Sequence, residues 1–252
     1  MRPNQTKRLL AAGRPAIGTF CTSASALLAE ELGHAGFDFV IVDLQHGENN
    51  LGNLQAMLQA LSSTPVTPVV RVPTNMPVYI QRALDLGAYG IIVPLVNTRT
   101  EAEAIMQSVR YAPAGARSWG PIRGALYGGP DYFAKAAEEL LTIVMLETAE
   151  AAKNARDILG VPGIDGCFIG PNDLAITLGV SSDVTELPAP VEEAIAAILG
   201  AAKATGKAPG IHTFSPQAAN ARIEQGFRFV GVLSDYRMVR MTAAQTLKAI
   251  TR

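Results

Sequence analysis

The stretch ELGHAGFDFVIVDLQHG, residues 31–47, contains the pattern that decides the fold. It begins as the end of an amphipathic helix and reaches a glycine, which is typical of a left-handed helix C-cap. The apolar run that follows stops at Asp43, and His46 lies three residues further on. Because the apolar positions are successive rather than alternate, the run predicts a parallel strand that is covered on both faces. The stretch therefore predicts a buried strand that ends in polar side chains.

The order of helix, glycine and apolar strand recurs along the chain without a close sequence repeat. Eight strands are predicted, each followed by a helix, at residues 16–21, 38–43, 66–72, 89–95, 141–147, 165–170, 208–213 and 227–234. Eight such units make a (β/α)8 TIM barrel, which is an α/β fold. The alternative is an open doubly wound sheet, but no GxGxxG motif follows the first strand. We expect residues 1–252 to form a single barrel domain.

The composition limits the classes of partner. Of the 252 residues 48% are hydrophobic, and the formal net charge is −1. No basic cluster suited to nucleic acid is present, and the apolar runs are far shorter than the roughly 20 residues of a membrane span. The two cysteines, Cys21 and Cys167, lie in apolar strands, which favours buried thiols in a reducing compartment. We expect a cytoplasmic protein with a small-molecule substrate and with neither nucleic acid nor membrane as a partner.

One long segment, residues 113–139, interrupts the order between the fourth helix and the fifth strand. It is rich in glycine, proline and aromatic residues. Loops of this length in compact domains tend to be functional or disordered. The aromatic content favours an ordered, functional loop.

Ionisable residues lie at the carboxyl ends of several predicted strands, where barrel enzymes place their catalytic groups. They are Asp43 with nearby His46, Arg71, Glu147, Asp173 and His212. Charges on apolar strands are costly unless they are paired or bind a metal. A single residue of this kind can be a structural ion pair, whereas several at one rim indicate a site.

Each of these residues also has a structural explanation. Glu147 can pair with Arg71 and close the barrel, and Asp173 can cap the short helix that follows a Gly-Pro turn. Asp43 can pair with a neighbouring strand, and His46 can be a solvated loop residue. The histidine of the seventh strand can be a hydrogen-bonded barrel residue as readily as a substrate contact.

The residue types at the rim indicate metal-assisted acid–base chemistry. Two carboxylates, Glu147 and Asp173, with remaining positions for water and substrate suit Mg²⁺ or Mn²⁺. Arg71 is a permanent cation that can bind a carboxylate or a developing oxyanion. His46, oriented by Asp43 or another acid, is a candidate base near neutral pH. None of the six lysines falls at the carboxyl end of a strand, which disfavours Schiff-base chemistry.

The sequence resembles the HpcH/HpaI aldolase family. The resemblance runs from about residue 14 to 240 and is carried, in order, by DFVIVDLQHG, PVVRVP, ALDLGAYGIIVPLVNT, RYAPAGARSWGP, MLET and GIDGCFIGPNDLA. It implies a class II, metal-dependent pyruvate aldolase of the phosphoenolpyruvate/pyruvate barrel superfamily. The RSWGP motif is similar to the branch that contains macrophomate synthase, which handles oxaloacetate through a pyruvate enolate.

The resemblance also implies a role for each matching residue. Glu147 and Asp173 match the ligands of a divalent metal, which is Mg²⁺ or Mn²⁺, with Co²⁺ as a further candidate. Arg71 matches the arginine that holds the pyruvyl oxygen. The implied catalytic residues are Arg71, the base His46, which acts through a water, and the orienting acids Asp43 and Asp85. Asp85 is implied to reach the site from a neighbouring subunit.

Substrate binding and assembly are implied in the same way. The turn formed by Gly170, Pro171 and Asn172 matches the segment whose amides bind the pyruvate carboxylate. We expect the aldehyde pocket to involve residues 119–133 and 212–214, with Trp119 and His212 as contacts. The resemblance implies a homo-hexamer, a trimer of dimers in which the C-terminal helix is exchanged between subunits.

One position departs from the family pattern. Many members have glutamine two residues before the metal-binding glutamate, where this chain has Met145. Trp119 and the loop around Tyr127 are also atypical of the members that degrade dicarboxylates. The aldehyde is therefore not identified by the sequence.

The implied reaction is the reversible cleavage of a 4-hydroxy-2-oxo acid to pyruvate and an aldehyde, with oxaloacetate decarboxylation as a side activity. Two alternatives remain open. One is another carbon–carbon lyase of the superfamily, of the citryl-CoA lyase type, and the other is a barrel that binds 2-oxo acids without catalysis.

Overall fold

The computed structural model describes residues 1–181 and 187–251, so residues 182–186 and 252 of the predicted domain lie outside the described residues. The strands are Ala16–Cys21 (β1), Phe39–Asp43 (β2), Thr67–Arg71 (β3), Gly90–Val93 (β4), Leu141–Met145 (β5), Gly166–Phe168 (β6), Gly210–Thr213 (β7) and Phe229–Ser234 (β8). The helices are Gln5–Ala11 (α1), Ala26–His34 (α2), Leu51–Ser62 (α3), Pro77–Asp85 (α4), Arg99–Val109 (α5), Ile122–Gly128 (α6), Tyr132–Glu139 (α7), Ala149–Leu159 (α8), Pro171–Thr177 (α9), Ala189–Thr205 (α10), Pro216–Gln225 (α11) and Asp235–Ala249 (α12).

All eight strands are parallel and lie in the order β6-β5-β4-β3-β2-β1-β8-β7. The two ends of this order meet, because the amide of Ile169 donates to the carbonyl of Gly210 at 2.9 Å and the amide of His212 donates to the carbonyl of Ile169 at 3.0 Å. Helices connect the strands on the outside. The predicted α/β barrel is therefore confirmed.

The barrel has two layers of apolar packing. Side chains that point inward form one cluster, which includes Phe39, Ile92, Phe168 and Phe229. The strand residues between them point outward and pack against the helices in a second, larger cluster. Burial on both faces explains why the strands are apolar at successive positions.

Glycines end three helices as the sequence predicts. Gly36, Gly87 and Gly226 follow α2, α4 and α11 and have φ angles of 99°, 99° and 113°. A side chain is strained in this left-handed region, which explains the glycine before each following strand.

Two features were not predicted. Helix α1 precedes the first strand; Asn4 caps it, and Leu9 and Leu10 pack against the inner cluster. The segment predicted as an ordered loop, residues 113–139, is described throughout and contains two short helices, α6 and α7. Within the described residues, no helix combines the length and the apolar character that a membrane span requires.

Candidate active site

A cavity of about 230 Å³ lies at the carboxyl ends of the strands. Eight of the predicted site residues line it: Asp43, His46, Arg71, Gly170, Pro171, Asn172, Asp173 and His212. They come from β2, β3, β7 and the segments that follow β2 and β6. The common rim formed by the carboxyl ends of the strands therefore brings together residues that are far apart in the sequence.

Arg71 and Asp43 form a forked ion pair across β2 and β3. Arg71 Nε donates to Asp43 Oδ1 at 2.8 Å, and Arg71 Nη2 donates to Asp43 Oδ2 at 2.6 Å. The guanidinium carbon also lies 4.6 Å from the centre of the Phe20 ring. The fork uses Nε and Nη2, so Nη1 is left for a ligand in the cavity. The prediction that Asp43 pairs with a neighbouring strand is confirmed, and Arg71 pairs with Asp43 rather than with Glu147.

Asp43 also shapes the segment that carries His46. Its Oδ1 accepts hydrogen bonds from the backbone amides of Gln45 at 3.0 Å and of His46 at 3.4 Å. The His46 side chain is exposed and lines the cavity. The backbone of the histidine is therefore fixed by a buried carboxylate, while its imidazole faces solvent and cavity.

Glu147 is a buried carboxylate without a cationic partner at ion-pair distance among the described residues. Its side chain follows β5, the residue is 2% exposed, and Oε1 accepts a hydrogen bond from the backbone amide of Leu95 at 2.9 Å. Burial raises the pKa of Glu147 to about 7, and the negative charge of Asp173 acts in the same direction. A cation at this position would remove the cost of keeping both carboxylates ionised.

Two backbone features make room for this carboxylate. Leu95 has a φ of 54°, an uncommon value for a non-glycine residue, and this conformation directs its amide to Glu147. A side chain at Gly170 would place its Cβ 2.5 Å from Glu147 Oε2. Any larger residue at Gly170 would therefore force the Glu147 carboxylate to move.

Asp173 lies in the first turn of α9 and is exposed. The predicted alternative that it caps this helix is wrong, because Gly170 is the N-cap residue and Asp173 is the third helical residue. Its carboxylate therefore remains available to a ligand. Within residues 1–181 and 187–251, no group of three or more His, Cys, Asp or Glu side chains is placed to hold a metal. The two carboxylates form a sparse donor set.

His212 lies in the cavity wall and is surrounded by aromatic rings. The ring centres of Phe20 and Phe214 lie 5.2 and 4.8 Å from it, both in edge-to-face arrangements. Burial, together with the positive charges of Arg71 and Arg237, lowers the pKa of His212 to about 3. Its Nδ1 is buried and has no hydrogen-bond partner among the described residues. The alternative that His212 is a hydrogen-bonded structural residue of the barrel is therefore not supported at Nδ1.

Two predicted residues lie away from the cavity of this chain. Asp85 is the last residue of α4, at the opposite end of the barrel, and accepts a hydrogen bond from Arg117 at 2.8 Å. Trp119 is 59% exposed and packs against Tyr111 and Phe133. Neither residue lines the cavity.

The cavity also contains residues that were not predicted as site residues: Phe20, Thr22, Met145, Phe168, Phe214 and Ser234. Thr22 and Ser234 lie at the carboxyl ends of β1 and β8. A search of these strand ends for uncharged polar residues would therefore have found them. Phe20 and Phe168 look like ordinary core residues in the sequence. Their contribution is visible only when the barrel interior is assembled.

A (β/α)8 barrel with two carboxylates, an arginine and a histidine at the carboxyl rim defines an α/β-barrel enzyme. The model of the HpcH/HpaI aldolase/citrate lyase family matches residues 16–241, and the chain belongs to this family. It is 41% identical over 235 residues to the hydroxypyruvate/pyruvate aldolase of Rhizorhabdus wittichii, with 93% of this chain and 94% of that protein covered. It is 39% identical over 251 residues to the 4-hydroxy-2-oxo-heptane-1,7-dioate aldolase of Escherichia coli, with 98% and 94% covered. The chain is a carbon–carbon lyase.

Solved structures agree with this assignment. An HpcH/HpaI aldolase/citrate lyase family protein from Burkholderia cenocepacia superimposes with a TM-score of 0.91 at 32% identity, covering 97% of this chain and 98% of that chain. Macrophomate synthase superimposes with a TM-score of 0.84 at 26% identity, covering 98% and 89%. The predicted similarity to that branch is therefore matched by a structural neighbour.

Proposed function

We propose that this chain is a metal-dependent aldolase that reversibly cleaves 4-hydroxy-2-oxo acids to pyruvate and an aldehyde. The observation that carries the proposal is the buried carboxylate of Glu147, which lies directly against Gly170 in the cavity wall and whose pKa is raised by burial and by Asp173. Asp173 and Arg71 line that cavity. The names of the two relatives, a hydroxypyruvate/pyruvate aldolase and a 4-hydroxy-2-oxo-heptane-1,7-dioate aldolase, support the substrate class.

Glu147 and Asp173 fit a divalent metal. The pKa of Glu147 is raised to about 7 because its carboxylate is buried close to another negative charge, and a cation would relieve both effects. Oxygen donors with room for water and substrate suit Mg²⁺, Mn²⁺ or Co²⁺. When bound, the metal supplies Lewis-acid stabilisation of developing negative charge on the 2-oxo acid.

Arg71 binds and orients the 2-oxo acid. Its fork with Asp43 and its stacking on Phe20 fix the guanidinium, and Nη1 is left to donate to the keto oxygen. A permanent cation fixed in this way is preorganised for an enolate oxygen. The backbone N–H groups of Gly170 and Asn172, on either side of Pro171, bind the carboxylate of the 2-oxo acid, since the first N–H groups of a helix have no partner within the helix.

His46 holds and moves the proton. In the cleavage direction it accepts the proton of the 4-hydroxyl through a water, and the C4–O bond becomes the carbonyl of the aldehyde. The C3–C4 bond breaks, and its electron pair remains on the three-carbon fragment as pyruvate enolate. Protonation at C3 then gives pyruvate. Oxaloacetate would give the same enolate by loss of CO₂, which is the basis of the proposed side activity.

The wall of the cavity receives the aldehyde. His212 is neutral and, with Phe214, offers an aromatic surface to the part of the substrate beyond C4. Met145 lines the cavity in place of the glutamine that the family resemblance implies for many members, so this wall lacks one hydrogen-bonding group.

A second copy of the chain completes the site. Asp85 and Trp119 do not line their own cavity, so their proposed roles require a neighbouring subunit. Ile122 and Leu126, on the helix next to α4, are 88% and 83% exposed, and most of α12 is exposed as well. Apolar surface of this extent favours an interface between subunits. We therefore propose a homo-oligomer, a hexamer built as a trimer of dimers with exchanged C-terminal helices.

Mixing two inactive variants tests the shared site. His46→Gln and Asp85→Asn subunits, dissociated and reassembled together, form some sites with both native residues, so activity should return. Reassembly of each variant alone is the control. If the mixture is no more active than its components, Asp85 does not act across a subunit interface.

The aldolase proposal is tested by cleavage of a 4-hydroxy-2-oxo acid, with the released pyruvate measured by a coupled dehydrogenase. Chelation should abolish the activity, and Mg²⁺ or Mn²⁺ should restore it in the native chain but not in Glu147→Gln. Glu150→Gln, at an exposed position three residues away, is the control. Activity that survives exhaustive chelation would contradict the proposal.

A further inference from the structure

The segment that follows β4 contacts the buried carboxylate of Glu147 from the side of the barrel wall. The backbone amide of Leu95, in this segment, donates to Glu147 Oε1 at 2.9 Å. The other carboxylate oxygen, Oε2, lies beside Gly170, which lines the cavity. One oxygen of the carboxylate is therefore bound by the backbone, and the other faces the cavity wall.

Leu95 donates this hydrogen bond from a backbone conformation that leucine rarely adopts. Its φ angle is 54°, in the left-handed region where the Cβ of an L-residue is strained. Burial of the side chain does not offset the strain, because the residue is 50% exposed. Contacts of the backbone therefore hold the conformation.

The peptide group between Leu95 and Val96 has hydrogen bonds on both sides. The amide of Val96 donates to the backbone carbonyl of Met145 at 3.2 Å. The carbonyl of Leu95 accepts a hydrogen bond from Nδ2 of the Asn97 side chain at 3.3 Å. Asn97 is thus the side chain that fixes the peptide group after Leu95, while Glu147 fixes the amide before it.

The side chain of Asn97 also returns to the strand that carries the carboxylate. Its Oδ1 accepts a hydrogen bond from the Thr148 hydroxyl at 2.5 Å. Thr148 is the residue after Glu147 in the sequence. From the carboxylate of Glu147 the hydrogen bonds therefore run through Leu95 and Asn97 and return to the residue next to the starting point.

The backbone of Asn97 is fixed independently of this side chain. Its amide donates to the Glu101 carboxylate at 2.7 Å, and its carbonyl accepts a hydrogen bond from Asn154 Nδ2 at 2.8 Å. Helix capping does not explain the side chain either, since Thr98 is the N-cap residue of α5. The contacts of the Asn97 side chain therefore serve Leu95 and Thr148 rather than the placement of the segment.

We infer that Asn97 is a positioning residue for the metal site, which holds Leu95 in the conformation that binds the Glu147 carboxylate. The inference rests on the proposed function, which makes Glu147 a ligand of the divalent metal. Hydrogen bonds that orient a metal-binding carboxylate typically change metal affinity by about 10–100-fold. Asn97 acts through Leu95 and contributes no ligand of its own.

The affinity for Mn²⁺ without substrate tests the inference, with the free ion measured by electron paramagnetic resonance. Asn97→Ala should weaken Mn²⁺ binding about tenfold, because it removes the side-chain bridge and keeps the backbone contacts of the residue. Asn154→Ala is the matched control. It removes a hydrogen bond to the Asn97 carbonyl but leaves the bridge intact, so it should bind Mn²⁺ as tightly as the native chain.

Substitutions at Leu95 test the same link from its other side. Glycine adopts the left-handed conformation without strain, so Asn97→Ala/Leu95→Gly should recover most of the affinity that Asn97→Ala loses. Valine is branched at Cβ and disfavours this conformation, so Leu95→Val alone should weaken Mn²⁺ binding. The position is half exposed, so these changes remove little packing, and urea unfolding of the same samples checks that each variant folds. If Asn97→Ala does not fold, Leu95→Val still tests the link.

The inference is overturned if folded Asn97→Ala or Leu95→Val binds Mn²⁺ like the native chain. It is also overturned if Asn154→Ala weakens binding as much as Asn97→Ala, or if Leu95→Gly restores nothing. Glu147→Gln identifies which proposal has failed. Loss of Mn²⁺ binding in Glu147→Gln, together with native affinity in Asn97→Ala, refutes only the role of Asn97. Native affinity in Glu147→Gln refutes the proposed metal site, and the role of Asn97 with it.

Discussion

Each end of the barrel buries an arginine–aspartate pair, and the surroundings of the two pairs differ. At the cavity end, Arg71 and Asp43 form a fork beside an open cavity. At the opposite end, Arg117 donates to Asp85 at 2.8 Å, and the Arg117 side chain is completely buried. Arg117 also donates to the Tyr132 hydroxyl at 3.1 Å.

The two pairs differ in whether the guanidinium has a nitrogen that can reach a ligand. Arg71 has Nη1 left beside a space that admits a ligand. Arg117 has Nε and Nη1 buried without partners among the described residues, and it joins the 113–139 segment to α4. An arginine–aspartate pair therefore faces a ligand cavity at one end of the barrel, whereas at the other end the arginine is packed inside the subunit. Substitutions at the two arginines should affect different properties.

The largest expected effect is the loss of stability in Arg117→Met. The substitution leaves Asp85 without its cation, which costs about 3–5 kcal/mol for a buried pair. Urea unfolding monitored by circular dichroism measures this loss. The double variant Arg117→Met/Asp85→Leu should recover most of it, because no charge is then left unpaired. A loss below about 1 kcal/mol in the single variant would mean that the pair is not structural.

Arg71→Lys should lower activity with little effect on stability. Lysine can still pair with Asp43 but cannot keep the fork and donate from Nη1 at the same time. We expect kcat to fall on the order of a hundredfold, about 3 kcal/mol in activation free energy. Steady-state cleavage kinetics and urea unfolding on the same samples measure both properties. Near-native kcat in the folded variant would remove Arg71 from the mechanism.

Glu147 should make the metal-free protein less stable as the pH rises. Its pKa is raised from 4.5 to about 7, so the folded chain keeps a proton that the unfolded chain releases. The unfolding free energy therefore falls between these two pH values. Metal-free Glu147→Gln should lack this slope and be about 3 kcal/mol more stable at about pH 8. Parallel slopes in the two proteins would show that Glu147 is not the buried acid.

His212 should have a smaller effect of the opposite sign. Its pKa is lowered from 6.5 to about 3, so only the unfolded chain binds a proton as the pH falls through this range. The unfolding free energy should drop by about 1–2 kcal/mol more in the native chain than in His212→Phe between about pH 7 and 5. His34→Gln, at an exposed position on α2, is the control and should behave as the native chain does.

The sequence predicts the cavity end of the barrel better than the opposite end. Asp43, Arg71 and Glu147 lie at the ends of apolar runs, which can be located in the sequence. Because parallel strands end at a common rim, these positions also predict that the three side chains lie near one another. Asp85 and Arg117 are 32 residues apart, on a helix and in an irregular segment, so no periodicity relates them. Only the resemblance to a family singled out Asp85.

Several features of the site depend on the assembled barrel. Leu95 adopts its left-handed backbone conformation although it is not glycine, so nothing in the sequence indicates its hydrogen bond to Glu147. The contact between Arg237 and Phe214 joins residues from two different βα units. Helix α1 was missed because its seven residues are too few to show a clear helical period.

The central claim is that the cavity end forms pyruvate enolate and that Arg71 is the cation that stabilises it. Deuterium exchange into the methyl group of pyruvate, followed by NMR in D₂O with Mg²⁺, tests it most directly. The account predicts rapid exchange in the native chain and exchange slowed on the order of a hundredfold in Arg71→Lys. A folded native chain that binds pyruvate and Mg²⁺ without exchange, or an Arg71→Lys variant that exchanges as fast as the native chain, would contradict it.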